Sequence, residues 1–289
     1  MIVPFSAASA TDTLAREVGA RLAEAWGQPV VVENRPGASG MLAAAAAAKA
    51  PADGYTLFFT SNTTQAANPS LYVKLPYDPV KDFAPVAPRA AAANLLVVSP
   101  ALGPATLAEL LALAKAQPGK LSFAHGSSLS RMNGEMLRSM AGIHIVPVAY
   151  KSNPQGVTDL LGGHVQLMFA DTVTALPHVK AGKLRALAIG SARRSALLPD
   201  VPSVAEAGVP GYELTGWLAV FAPTGTPEPV LDRLHGEIAR ILALPAMRER
   251  LQQLGVDALP GSRAQLGELV RTEIPKWARL VKDAGIQPE

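Results

Sequence analysis

Short β-branched or aromatic runs alternate along the chain with longer stretches whose apolar residues recur at helical spacing. Ile2-Val3-Pro4-Phe5 is a short apolar run that stops at the small-residue loop Ser6-Ala7-Ala8-Ser9-Ala10-Thr11-Asp12. Leu14, Val18 and Leu22 then recur at helical spacing with Trp26 alongside, and Gly27 predicts the helix end. Val30-Val31-Val32 reads as a buried parallel strand, the Ala-rich residues 41–50 as a helix, and residues 56–60 as a strand. That strand runs into the hydroxyl- and amide-rich loop Ser61-Asn62-Thr63-Thr64. The order β-α-β-α-β predicts a parallel sheet with helices on its faces.

A second α/β set follows. Residues 94–98 form a strand, and Thr106 with Glu109 forms a capping box before the next helix. Strand 121–124 leads to loop 125–130 and a helix ending near Gly142. Strand 145–148 leads to Tyr150-Lys151-Ser152, where Asn153-Pro154 predicts an N-cap and first-position pair, and that helix ends at Gly162-Gly163. Strand 165–169 leads to Ala170-Asp171-Thr172, another cap, before strand 184–189 and a second capping box at Ser203 and Glu206. Residues 217–221 read as a strand, and the helices after them carry Val230, Leu234 and Ile238, then Leu266, Leu269 and Val270. Pro275 is expected to kink or restart the last helix. Two α/β sets with a helical tail predict two lobes, residues 1–98 plus 221–289 in one and 99–220 in the other. The strands near 97–98 and 217–221 would cross between them as a hinge beside a cleft.

Composition narrows the function. The 289 residues are 49% apolar and 17% charged, enough for a large core. The 26 basic and 23 acidic residues leave +3, and the basic residues are scattered, with Arg193-Arg194 as a close pair. A nucleic-acid binder shows a basic stripe, so nucleic acid is not expected as a partner. No apolar run reaches the roughly 18 residues of a membrane helix. Cysteine is absent, which excludes disulfides, thiol nucleophiles and Cys-based zinc sites. His125, His144, His164, His178 and His235 show no metal-ligand spacing, so neither metal nor cofactor is expected. There is no Gly-x-Ser-x-Gly elbow around Gly126-Ser127-Ser128, no dinucleotide fingerprint at Gly37-Ala38-Ser39-Gly40 and no P-loop. The strand pattern begins at once, which predicts a leader and the first strand residues lost upstream.

What remains is a repeated device: a strand that stops at small or hydroxyl residues just before a helix. First-turn N–H groups lack helical partners and sit at the positive end of the dipole, so such a place takes an anion. Candidate ligand contacts are Phe5, Ser6, Ala7, Ala8, Ser9, Ala10, Thr11 and Asp12 in the first loop and Ser61, Asn62 and Thr63 in the second. His125, Gly126, Ser127, Ser128, Ser130 and Arg131 form a third group, with Tyr150, Asp171 and Thr172 completing the set. Each loop also has a plain reading as a helix cap. The Arg131 guanidinium can take a carboxylate bidentately or stand as a surface arginine that contributes little to folding. Tyr150 lines the cleft or packs, and Asp12 and Asp171 fit capping better than contact with an anion unless the ligand carries an amino group.

The chain resembles the substrate-binding proteins of tripartite tricarboxylate transporters, the Bug (TctC-like) family. The resemblance rests on the ordered segments 2–5 with Asp12, 28–38, 53–57, 75–86, 159–163, 181–188 and 210–213, and covers essentially the whole chain. It implies a type II periplasmic-binding-protein fold, two lobes closing on a carboxylated ligand, and no catalysis. It further implies a secreted periplasmic monomer of a Gram-negative bacterium whose partners are a small carboxylate or amino-acid ligand and membrane transporter subunits. Three positions depart from the family pattern: Ala8-Ser9 for Gly-Gly, Arg131 for His, and Ser152 for Gly in Tyr-Lys-Gly. Two other classes compete, an α/β hydrolase or transferase and the ligand-sensing module of a regulator. The first lacks a nucleophile with a base in reach, and the second requires a DNA-binding segment upstream.

Overall fold

The apolar runs fall into two separate sheets. A computed structural model describes residues 1–289, apart from the side chains of residues 88 and 89. In chain order the elements are β1 (Ile2–Val3), α1 (Ala10–Trp26), β2 (Glu33–Asn34), α2 (Met41–Ala48), β3 (Phe58–Ser61), α3 (Asn68–Leu71), β4 (Phe83–Ala92) and β5 (Asn94–Val98). Next come α4 (Leu107–Ala116), β6 (Ser122–His125), α5 (Ser128–Ala141), β7 (Val146–Ala149), α6 (Asn153–Leu161), β8 (Leu167–Asp171), α7 (Thr172–Lys180) and β9 (Arg185–Ile189). The chain ends with β10 (Gly216–Pro223), α8 (Glu228–Ala243), α9 (Pro245–Gln253), β11 (Val256–Ala258) and α10 (Arg263–Asp283).

Unit 1 comprises Met1–Ala91, Trp217–Gln252 and Asp257–Glu289, and unit 2 comprises Ala92–Gly216 and Gln253–Val256. The boundaries differ from those expected. The strand Asn94–Val98 belongs wholly to the second sheet, paired antiparallel with β8 and β9, while β10 belongs to the first from Trp217 onward. The chain also makes a brief second excursion into unit 2 at Gln253–Val256.

The sheet of unit 1 runs β11-β4-β10-β3-β1-β2. β1 lies parallel to β2 and β3, and β3 is antiparallel to β10. In its core Phe58 stacks on Phe83 at 5.4 Å between centroids, and Phe221 meets Phe83 edge-on at 6.4 Å. Three local expectations fail here for identifiable reasons. Val30-Val31-Val32 is not a buried strand: β2 is the sheet edge, and Val31 is 73% exposed. Residues 61–64 are not an open loop, because Thr63–Ala67 winds a buried π-helical turn straight into α3. Pro275 lies inside α10 without restarting it. β4 and β11 went unanticipated; Pro85 and Pro88 break the apolar pattern of β4.

The sheet of unit 2 runs β7-β6-β8-β5-β9. Period-2 alternation splits β5 between two cores: Leu96 and Val98 join Phe123 and Phe169, while Leu95 and Val97 join Ala124, Met168 and Ala170. Both faces are covered, which is why the strand reads as a continuous apolar run. On the first face Phe169 stacks on Tyr212 at 6.1 Å, and the Tyr212 hydroxyl donates to the Asn133 carbonyl and Oδ1 of α5.

Gly134 lets α5 close on β6, since a Cβ there would sit 2.3 Å from the Phe123 ring. The fully buried ring has no room to retreat. Gly134→Ala is therefore expected to destabilise the protein by about 1–3 kcal/mol through overpacking, measured as a lowered denaturant midpoint with unchanged m.

Candidate functional site

Each sheet gathers helix starts at the C-terminal ends of its parallel strands, the edge where open α/β sheets bind ligands. In unit 1, β1 runs into the loop Phe5–Thr11 and β3 into the turn at Asn62. Their parallel pairing sets these two strand ends side by side, and β10 adds Trp217 on the far side of β3, opposite Asn62.

The first loop is braced from within. Asp12 accepts the Ala8 N–H through Oδ2 at 2.9 Å, and through Oδ1 it accepts Asn34 Nδ2 at 2.8 Å and Arg16 Nε at 2.9 Å. Asn34 Nδ2 also donates to the Phe5 carbonyl at 2.9 Å. Ser9 caps α1 by accepting the Asp12 N–H, and the Ser9 N–H returns to the Ser6 carbonyl at 3.2 Å. The first backbone bond of α1 is made by the Thr13 N–H, so the helix itself makes no use of the Ala10 and Thr11 N–H groups. Phe5 is buried, Ser6 half-buried, and Ala7 and Ala8 exposed. Ala8 holds φ 64°, the left-handed conformation that the usual glycine would take without strain. The loss of Gly-Gly therefore leaves the left-handed conformation in place.

Beside this loop, the Ser61 hydroxyl accepts the Thr63 N–H at 3.2 Å. Asn62 Oδ1 accepts the Trp217 backbone N–H at 3.2 Å, which orients the amide. Asn62 Nδ2, Thr63 Oγ1 and the Trp217 indole Nε1 are buried and have no hydrogen-bond partner within the protein. Trp217 was outside the candidate set because its run reads simply as a strand.

In unit 2, β6 lies parallel to both β7 and β8, so α5, α6 and α7 all start at one edge. Their caps are Ser127, Ser152 and Asp171. The expected loop 125–130 is shorter than anticipated: His125 ends β6 and α5 starts at Ser128. Asn153 is not a cap but a tie between loops. Its Oδ1 accepts the Gly126 N–H at 3.1 Å, and its Nδ2 donates to Asp171 Oδ2 at 2.7 Å. Asp171 Oδ1 accepts the Thr174 N–H and hydroxyl at 2.9 and 2.7 Å, so both oxygens are engaged. A Cβ on Gly126 would lie 2.1 Å from the Ser152 carbonyl carbon, so only glycine permits this approach.

Several hydroxyls of the candidate set are committed elsewhere. Ser130 Oγ donates to the Phe169 carbonyl at 2.6 Å, and Thr172 Oγ1 donates to the Gly255 carbonyl at 3.2 Å. Ser128 is buried in the first turn of α5. The Tyr150 N–H donates to the His125 carbonyl, and its hydroxyl donates to Asp159 Oδ2 at 2.7 Å. Burial first, then Asp159, pushes the Tyr150 phenol up to about 12, so it stays a neutral donor. Arg131 is half-buried rather than a surface residue, and its backbone N–H already donates to the Ser127 carbonyl. One turn on, burial holds the Glu135 carboxyl above its usual range, while Arg138, 2.8 Å away, and Arg131 pull it down. Among the described residues no cluster of acidic, histidine or cysteine side chains is arranged to hold a metal ion.

Donor-rich strand edges of this kind suit a solute receptor for a small anion. The chain belongs to the family described as tripartite tricarboxylate transporter family receptor, whose model matches residues 14–286. It is 36% identical over 288 residues to Protein BugT of Bordetella pertussis, covering 99% of this chain and 88% of the relative. The structure of R. palustris Rpa4515 with adipate superposes with a TM-score of 0.97 at 36% identity, covering 100% of this chain and 97% of the other. MatC (Rpa3494) from Rhodopseudomonas palustris with bound malate gives 0.91 at 34% identity, covering 97% of each chain.

The loop geometry makes two opposite expectations. Ala8→Gly should relieve the left-handed strain and stabilise the protein by about 1 kcal/mol, seen as a higher Tm. Gly126→Ala should cost about 3 kcal/mol, because both colliding groups are backbone and the Asn153 tie must break. A Gly126→Ala variant as stable as the parent would refute the close packing of these loops.

Proposed function

We propose that this protein is a periplasmic receptor that binds a small carboxylate at its donor-rich strand edges and passes it to membrane transporter subunits. The supporting observation is the convergence of three helix N-termini on one edge of the unit 2 sheet, with the nearby Asp171 fully engaged. Three positive dipole ends and the adjacent Arg131 favour an anion, and they outnumber the single nearby negative charge of Asp171, whose oxygens point into its own loops. Adipate and malate in the related structures are both dicarboxylates, so short dicarboxylates are the first ligands to try. Asp12 and Asp171 hold the loops they belong to through their hydrogen bonds, a role that needs no ligand amino group. No helix among the described residues is long and apolar enough to cross a membrane, so contact with the membrane would run through the transporter. We take the working form to be a monomer.

A thermal-shift screen tests this reading with adipate, malate, citrate, glutamate and benzoate against putrescine and spermidine. A ligand at a hundred times its Kd should stabilise the native state by about 2.7 kcal/mol, and only the carboxylates should raise Tm. A panel in which no carboxylate moves Tm would overturn the reading.

Arg131→Ala should weaken carboxylate binding by about 1.5–3 kcal/mol, or roughly ten- to hundredfold, by calorimetric titration. Contrary to the sequence-based expectation, it should also lower stability. Removing one of the two cations that favour ionised Glu135 leaves that buried carboxylate less compensated. Unchanged affinity would confine Arg131 to its role beside Glu135.

A further inference from the structure

We infer that Asn62, Thr63 and Trp217 form a donor seat for one carboxylate of the solute, and that this seat rejects an ammonium group. The inference deepens the carboxylate-receptor reading and rests on it. Asn62 and Thr63 are each 1% exposed and Trp217 is 5% exposed, yet Asn62 Nδ2, Thr63 Oγ1 and Trp217 Nε1 have no partner within the protein. A buried polar atom left unpaired is costly, so a protein that retains several of them in one place gains from a partner that arrives later. All three belong to unit 1, at the C-terminal end of β3 and the facing start of β10. The register that pairs Ser61 with Leu218 puts Trp217 across from Asn62, and the Trp217 N–H donates to Asn62 Oδ1 at 3.2 Å.

That bond decides the chemistry. A backbone N–H can only donate, so the amide oxygen must face it and the NH2 must face away. Asn62 therefore offers the seat donors only. The indole N–H of Trp217 likewise donates and cannot accept. Thr63 completes the set with a hydroxyl that turns either way, its own N–H being held by Ser61 Oγ at 3.2 Å. A carboxylate, which only accepts, satisfies all three. An ammonium brings more donors to two fixed donors and leaves them unpaired, and a methyl group leaves all three unpaired. The indole and the oriented amide thus select the charge type of the solute at this end.

Two measurements test the seat. In the first, adipate, malate and citrate are titrated calorimetrically into the wild-type protein, Trp217→Phe and Asn62→Asp. Trp217→Phe keeps the ring packing and removes one N–H, and should weaken binding about 10- to 100-fold, the range for a hydrogen bond to a charged group. Asn62→Asp keeps the acceptor for the Trp217 N–H but turns a negative oxygen into the seat, and should weaken binding at least as much.

In the second, the indole 1H–15N resonances of the wild-type protein are followed during the same titrations, so that a poorly folding variant does not decide the matter. The Trp217 resonance should move on saturation. That of Trp277 should stay, because its Nε1 already donates to Glu273 at 3.2 Å. If none of the three carboxylates binds the wild-type protein, the receptor reading falls and the seat falls with it. If one binds while the Trp217 resonance stays in place, the seat is wrong and the receptor reading stands, whatever the variants do.

Discussion

The loops at the helix-start edge of each sheet depend on the hydrogen bonds of one buried carboxylate. Asp12 stands at the edge in unit 1 and Asp171 at the edge in unit 2. Each is engaged by its own loop: Asp12 by Ala8, Arg16 and Asn34, and Asp171 by Asn153 and Thr174. These bonds hold the carboxylates in place and fix the loop shapes, with Arg16 adding a compensating positive charge at Asp12. Without Asp12 the Ala8 N–H would lose the acceptor that holds the left-handed turn. Without Asp171 the Asn153 amide would lose one of its two anchors, and with it the grip on Gly126. Charge bookkeeping and loop geometry are therefore one constraint.

The two edges meet this constraint differently. The unit 2 edge relies on backbone, with three caps and a glycine so close to Ser152 that no side chain fits. Several of its hydroxyls are consumed internally, as Ser130 and Thr172 illustrate. The unit 1 edge adds side chains, because β10 returns to the sheet and places an indole opposite an oriented amide. Dipoles alone favour any anion, whereas directed donors distinguish one end group from another.

Much of this was legible in the sequence, since the readable signals are local. Ser9, Thr106 and Asp171 each cap a helix as their spacing suggests, Gly27 and Gly142 end helices in the left-handed conformation, and the doubly buried strand β5 shows as an unbroken apolar run. What escaped depends on neighbours in space. Val30 to Val32 have the composition of a central strand but lie at a sheet edge, and nothing local records the missing neighbour. β4 carries prolines that argue against a strand, yet it pairs between β10 and β11. Asn153 looks like a cap because it precedes proline, but its amide reaches instead to Gly126 and Asp171, 27 and 18 residues away. Trp217 was legible only as a strand residue, because its orphaned N–H emerges from pairing with residues about 155 positions earlier.

The departures from the family pattern follow the same logic. At Ala8 the backbone conformation that glycine would favour is retained, held by the Asp12 carboxylate at a cost of about 1–2 kcal/mol. A loop that bears such strain is fixed by its bonds and not by its residue type. A substitution that leaves those bonds intact changes the energy of the loop more than its shape. Arg131 is a departure of the other kind. A guanidinium is larger than the imidazole usual in the family and always charged, and within the first turn of α5 it has Glu135 one turn away. The pair places a permanent cation at the start of a helix whose dipole would otherwise oppose it, and Glu135 offsets part of that cost. Ala8 thus takes a left-handed conformation without glycine, whereas Arg131 changes the charge that α5 carries in its first turn.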